Sequence, residues 1–139
     1  MSFVQPERFA WSFTSLKDFQ NCPRKMYHLR YAKDVKDEHS AESQEGFDVH
    51  AALAEAITNG TFALPEKYAQ FNPALQGIKS LKDAGCTVWA ERKVALSEQW
   101  HGVEFFAKNA WHRGVLDVVA LSPNGERATI ADWKNGKRK

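Results

Sequence analysis

The sequence predicts an α+β fold, and three observations carry that expectation. Up to Gly85 the apolar residues recur at helical spacing between capping and stop signals. From Cys86 onward the character changes to short apolar runs separated by turn residues. A composition of 43% hydrophobic and 26% charged residues is that of a globular chain rather than a disordered one. Helices followed by a β meander argue for helices packed on one or both faces of a mainly antiparallel or mixed sheet. A single domain over residues 1–139 is the expectation for this length.

Residues 1–11 read as an irregular lead-in in which Phe9 and Trp11 can pack on the body. A first helix is expected from Thr14 or Ser15, where Ser15 and Asp18 fit a Ser-x-x-acid capping pattern. Leu16 and Phe19 share one of its faces. Asn21-Cys22-Pro23 interrupts it, and a second helical segment follows from Pro23 to about Tyr31, since proline suits a helix start. Lys33 to Gln44 is polar and is expected to be a mobile connection. A helix from about Ser43 to Thr58 stops at Asn59-Gly60. Its stripe of Gly46, Val49, His50, Leu53 and Ile57 faces the core and carries a histidine. Residues 61–72 read as a loop, and a helix from Pro73 to Ala84 turns Leu75, Ile78 and Leu81 inward. Four strands are expected: Cys86–Leu96, Val103–Lys108, Gly114–Leu121 and Arg127–Lys134, the last two joined by a hairpin at Asn124-Gly125.

Overall charge does not announce a partner, because the formal net charge is only +2. Basic residues nevertheless cluster at Arg24, Lys25 and Arg30 and again at Lys134, Lys137, Arg138 and Lys139. Two cysteines, Cys22 and Cys86, exclude a disulfide framework and a zinc-finger spacing. No apolar run approaches the roughly 18 residues of a membrane span, and no stretch resembles a signal peptide. A cytoplasmic protein with reduced thiols and no membrane association is expected.

The chemistry concentrates in the last two strands. Asp117 interrupts the apolar run Gly114–Leu121, where an unpaired carboxylate would cost several kcal/mol, on the order of a buried polar group left without a partner. A structural aspartate bonded to backbone amides is one reading; a cation ligand is the other. A hairpin centred between Asn124 and Gly125 sets residue 117 opposite residue 132, with Cβ atoms about 5 Å apart. Asp117 and Asp132 would then repel unless a cation lay between them, and Mg²⁺ or Mn²⁺ has the oxygen preference to do so. Lys134 follows Asp132 at i+2 and shares its face. His50 is either a satisfied core histidine or a third ligand reaching the carboxylates from the packed helix. Glu91 is a further candidate acid, surface pairing with Arg92 or Lys93 being the alternative.

These residues resemble a known signature. Gly114…Asp117 followed by Asp132-Trp133-Lys134 is similar to the motif of the PD-(D/E)XK nuclease superfamily. Ser12 to Tyr27 is similar to the S-x-S-x-L-x-x-F-x-x-C-P N-terminal helix of the RecB-type branch, which includes phage exonucleases and CRISPR-adaptation nucleases. Gly46-Phe47-Asp48-Val49-His50 is similar to that branch's G-x-x-x-H motif, and Asp132 to Lys137 to its D-x-K-T-G-K. The four motifs stand in the family's order over residues 12–137.

The resemblance implies a restriction-endonuclease-like core flanked by the N-terminal helices, and metal-dependent hydrolysis of DNA phosphodiester bonds by a Mg²⁺- or Mn²⁺-dependent exonuclease of recombination, repair or phage replication. It implies that Asp117, Asp132, His50 and the Trp133 carbonyl hold metal. Lys134 would position or deprotonate the attacking water and offset transition-state charge, with Asp117, Asp132 and Lys134 as the catalytic set. Arg24, Lys25, Arg30, Lys137 and Arg138 become phosphate-contact candidates in a bacterial or phage-infected cytoplasm. The family continues past this strand into a helix with a Gln-x-x-x-Tyr pattern, which is missing here. A truncated domain, a protein partner or homo-oligomer that completes it, or a catalytically silent DNA-binding or inhibitory module are the corresponding expectations. Some relatives carry a four-cysteine iron–sulfur cluster. Only Cys22 resembles one of its ligands, so no iron–sulfur cluster is expected.

Overall fold

The computed structural model of the chain describes residues 9–38 and 40–134. Among these are four α-helices, α1 (Phe13–Asn21), α2 (Pro23–Met26), α3 (Ala41–Thr58) and α4 (Asn72–Asp83). Four strands follow, β1 (Thr87–Leu96), β2 (Gly102–Val103), β3 (His112–Leu121) and β4 (Ala128–Ala131), in one antiparallel sheet of order β2-β1-β3-β4. This is the α+β class expected, consistent with a restriction-endonuclease-like core. The described residues group into two compact units, which fall within Met1–Glu38 with Lys93–Val115 and within His39–Arg92 with Leu116–Lys139.

In the first unit α1 starts at Phe13, ahead of the expected Thr14 or Ser15. Ser12 is the N-cap: its hydroxyl accepts from the Ser15 amide at 3.2 Å, and the Ser15 hydroxyl accepts from the Ser12 amide at 2.8 Å. This reciprocal box satisfies two amides that a helix end otherwise leaves open. It is Ser15 that is buried, while Leu16 and Phe19 are exposed. Cys22 adopts the extended backbone that a residue before proline prefers, and its sulfur accepts from the Lys25 amide to cap α2. The segment then widens into a π-helical turn, Tyr27–Ala32, closed by Lys33 in the left-handed region at φ 55°. The stretch beyond meets this segment through polar contacts of Asp34 and Asp37. Arg30 donates to Asp18 at 2.8 Å and to Asp37 at 2.9 Å, and His28 meets Asp34 at 3.0 Å. The second predicted strand shrinks to the pair Ala95↔Val103 and Leu96↔Gly102, because turns at Glu104–Ala107 and Ala107–Ala110 replace the ladder.

The second unit holds the main apolar cluster. Ser40 caps α3 by accepting from the Ser43 amide, so the helix starts at Ala41, ahead of the expected Ser43. The helix buries Val49, Leu53, Ala56 and Ile57 against Leu75 and Ile78 of α4, with Phe62, Val118 and Trp133 completing the cluster. A 3₁₀ turn, Glu66–Phe71, occupies much of the expected loop. α4 ends in a Schellman arrangement, Gly85 donating to the Lys82 carbonyl and Cys86 to that of Leu81. Gly85 sits at φ +93°, and a Cβ there would lie 3.3 Å from Pro123. The β3–β4 hairpin runs from Val118↔Ala131 to Leu121↔Ala128, the register that a turn centred on Asn124 and Gly125 dictates.

Candidate active site

The second unit gathers three polar side chains beside its core. Val49 and Leu53 lock one face of α3 into the apolar cluster, which leaves His50 half-buried at the rim. Asp117 comes from β3, next to the fully buried Val118. Glu91 comes from β1, where its backbone is left-handed at φ 52°. A left-handed residue inside a strand kinks it and re-aims the side chain. Ligand atoms of His50, Glu91 and Asp117 all lie within 4.8 Å of one another, the group of this kind found among the described residues.

Trp133 binds this group to the core. Its indole is buried and meets the Phe71 ring edge-on at 6.3 Å. Its amide donates to Asp117 Oδ2 at 2.7 Å, and its carbonyl accepts from His50 Nε2 at 3.1 Å. The other imidazole nitrogen, Nδ1, stands 3.5 Å from Asp117 Oδ1. Asp117 is therefore bonded to a backbone amide, as one reading of the sequence allowed, and it also stands within a polar cluster.

Asp132 stands apart from the group. Pairing in the hairpin ends at Ala131, and the next residue's side chain turns to solvent as Trp133 turns inward. Its carboxylate, 58% exposed, accepts from Lys134 Nζ at 2.6 Å. That hydrogen bond, then the Asp132 charge and more distantly that of Asp117, hold the Lys134 ammonium above the ordinary lysine range. Lys134 is thus a cation at neutral pH. Glu91, for which surface pairing was the alternative, has neighbours occupied elsewhere: Arg92 lies 5.0 Å over Trp89, and Lys93 5.5 Å from the Phe105 ring. Of the candidate phosphate contacts, Arg30 is engaged by two carboxylates, Lys25 lies 4.0 Å from Asp18, and Arg24 is exposed. Lys137 and Arg138 fall outside the described residues.

The donor set fits a hard divalent cation. Two carboxylates, a carbonyl and an imidazole supply the oxygen-rich sphere of Mg²⁺ or Mn²⁺, with the nitrogen better suited to Mn²⁺. The imidazole nitrogen that does not donate to Trp133, Nδ1, stands 3.5 Å from Asp117 Oδ1, so these two donors face each other.

Acid, imidazole and carbonyl donors beside a lysine are the kinds of group that metal-assisted hydrolysis uses. The chain belongs to the PD-(D/E)XK nuclease superfamily, which it matches over residues 10–139. No curated protein and no solved structure matches it.

Proposed function

We propose that the protein is a Mn²⁺- or Mg²⁺-dependent deoxyribonuclease of the RecB-type branch, an exonuclease of recombination, repair or phage replication. The observation that carries this reading is the convergence of His50, Glu91 and Asp117 within 4.8 Å in a chain of the nuclease superfamily. His50, Glu91, Asp117 and the Trp133 carbonyl would hold the cation, and Asp132 would join them on leaving Lys134. When bound, a divalent ion polarises a phosphoryl oxygen and lowers the pKa of water.

The chain's own groups do the rest. Asp117 uses Oδ2 on the Trp133 amide, which fixes the carboxylate plane and leaves Oδ1 turned toward His50. His50 donates from Nε2 to the Trp133 carbonyl, which in the neutral ring leaves Nδ1, turned toward Asp117, as the nitrogen that could take a metal. Lys134 brings a positive charge beside the carboxylates, suited to orienting a water and offsetting charge that develops on the phosphate. Arg24 and Lys25 remain as candidates for backbone phosphate contacts.

Linear single- and double-stranded DNA incubated with Mn²⁺ or Mg²⁺ tests the reading. Cleavage is expected, reduced on the order of 100-fold or more in Asp117→Asn and in Lys134→Ala. No metal-dependent cleavage, or cleavage undiminished in both variants, overturns it.

A further inference from the structure

The first unit contains a cavity of about 890 Å³ that the chemistry above does not use. Phe9, Tyr31 and Phe106 line it together with Lys33, Lys108 and Arg113, and no carboxylate is among its lining residues. We infer that this cavity binds unpaired nucleotides of a DNA strand, bases on the aromatic rings and phosphates on the cations, an inference that rests on reading the chain as a DNA nuclease.

Charge is the first argument. Arg30 also borders the cavity but is spent on Asp18 and Asp37. Among the described residues, Lys33 and Lys108 enter no ion pair. Arg113 keeps a buried Nε that donates to no acceptor among them. Ammonium and guanidinium groups donate only, so a matching ligand must bring anionic acceptors, as a phosphate does.

Shape is the second. Phe106 is 76% exposed and borders the cavity. It is held in position by the Phe105 ring at 5.0 Å and by the Arg113 guanidinium at 5.5 Å. An exposed ring backed by cations is a stacking platform for a base. Bases in a duplex are stacked on each other and offer no face, so only an unpaired nucleotide can use it. The cavity falls in the range of about 300–1,000 Å³ that small-ligand sites occupy, with room for a nucleotide. Lys33, in the left-handed region where the π-helical turn stops, lines the same cavity.

The test uses the full chain carrying Lys134→Ala, without metal, so that nothing is cut. Fluorescence anisotropy with labelled decathymidylate is expected to show binding tighter than to a blunt duplex of equal length. Phe106→Ala should weaken single-strand binding about tenfold, and Phe106→Trp should restore it. Lys33→Ala with Lys108→Ala should lower the slope of log K against log salt by about 0.7 per lysine. Unchanged affinity and slope in these variants, a duplex bound as tightly, or thymidine monophosphate competing as well as the decamer would each overturn the inference. Metal-dependent cleavage without Phe106-dependent binding rejects the cavity alone. Phe106-dependent binding without cleavage rejects the nuclease reading alone.

Discussion

His50 touches a carbonyl with one nitrogen and faces a carboxylate with the other, so its ring is set by a backbone that the core holds still. An imidazole ligand matters more to Mn²⁺ than to Mg²⁺. His50→Ala should therefore weaken Mn²⁺ affinity about 10- to 100-fold, the scale of a damaged metal sphere, and narrow the advantage of Mn²⁺ over Mg²⁺; calorimetric titration with both ions checks it. Glu91 offers a different separation. Its φ of 52° costs a glutamate about 1 kcal/mol or somewhat more. Asparagine tolerates that region better, so Glu91→Asn should melt no lower than the parent while DNA cleavage falls. At this scale the sequence was partly legible. Asp117 announced itself as a charge in an apolar strand, and His50 as a polar residue on an apolar stripe. Glu91 did so only through three consecutive charges, Glu91-Arg92-Lys93, which a strand of clean alternation cannot place on one face. No propensity foretells that a glutamate will turn left-handed, because its surroundings impose it.

Among the elements, the β3–β4 hairpin was readable to the residue, since Asn-Gly turns and a buried strand face leave little freedom of register. Its far end was not. Lys134 and Asp132 looked like continuing strand, but pairing stops at Ala131 because the Trp133 amide finds a side-chain acceptor instead of a ladder partner. The start of α1 was misplaced by a similar competition: three hydroxyls, Ser12, Thr14 and Ser15, compete for the cap, and the reciprocal bond between Ser12 and Ser15 decides it. α4 carries the cleanest stability test. Gly85→Ala would force a side chain into a left-handed backbone and against Pro123, costing about 1–2 kcal/mol. A lowered urea midpoint with an unchanged slope is the expected result, and a midpoint equal to the parent's would contradict it.

For the molecule as a whole, fold class and helix-then-sheet order followed from periodicity. Among the described residues no helix is long and apolar enough to cross a membrane. A ligand that binds only the folded chain stabilises it, by about 2.7 kcal/mol at a hundredfold excess over Kd. Mn²⁺ should accordingly raise the melting temperature of the parent and leave that of Asp117→Asn nearly unmoved. Equal shifts in both would point to adventitious binding elsewhere. One further property follows from the amide of Trp133. It is anchored by an indole in the core and closed onto Asp117, so its proton can exchange with solvent only when those contacts part. That single proton is a clock for the centre, its exchange rate recording how often the ligands come apart without any substrate having to be cut.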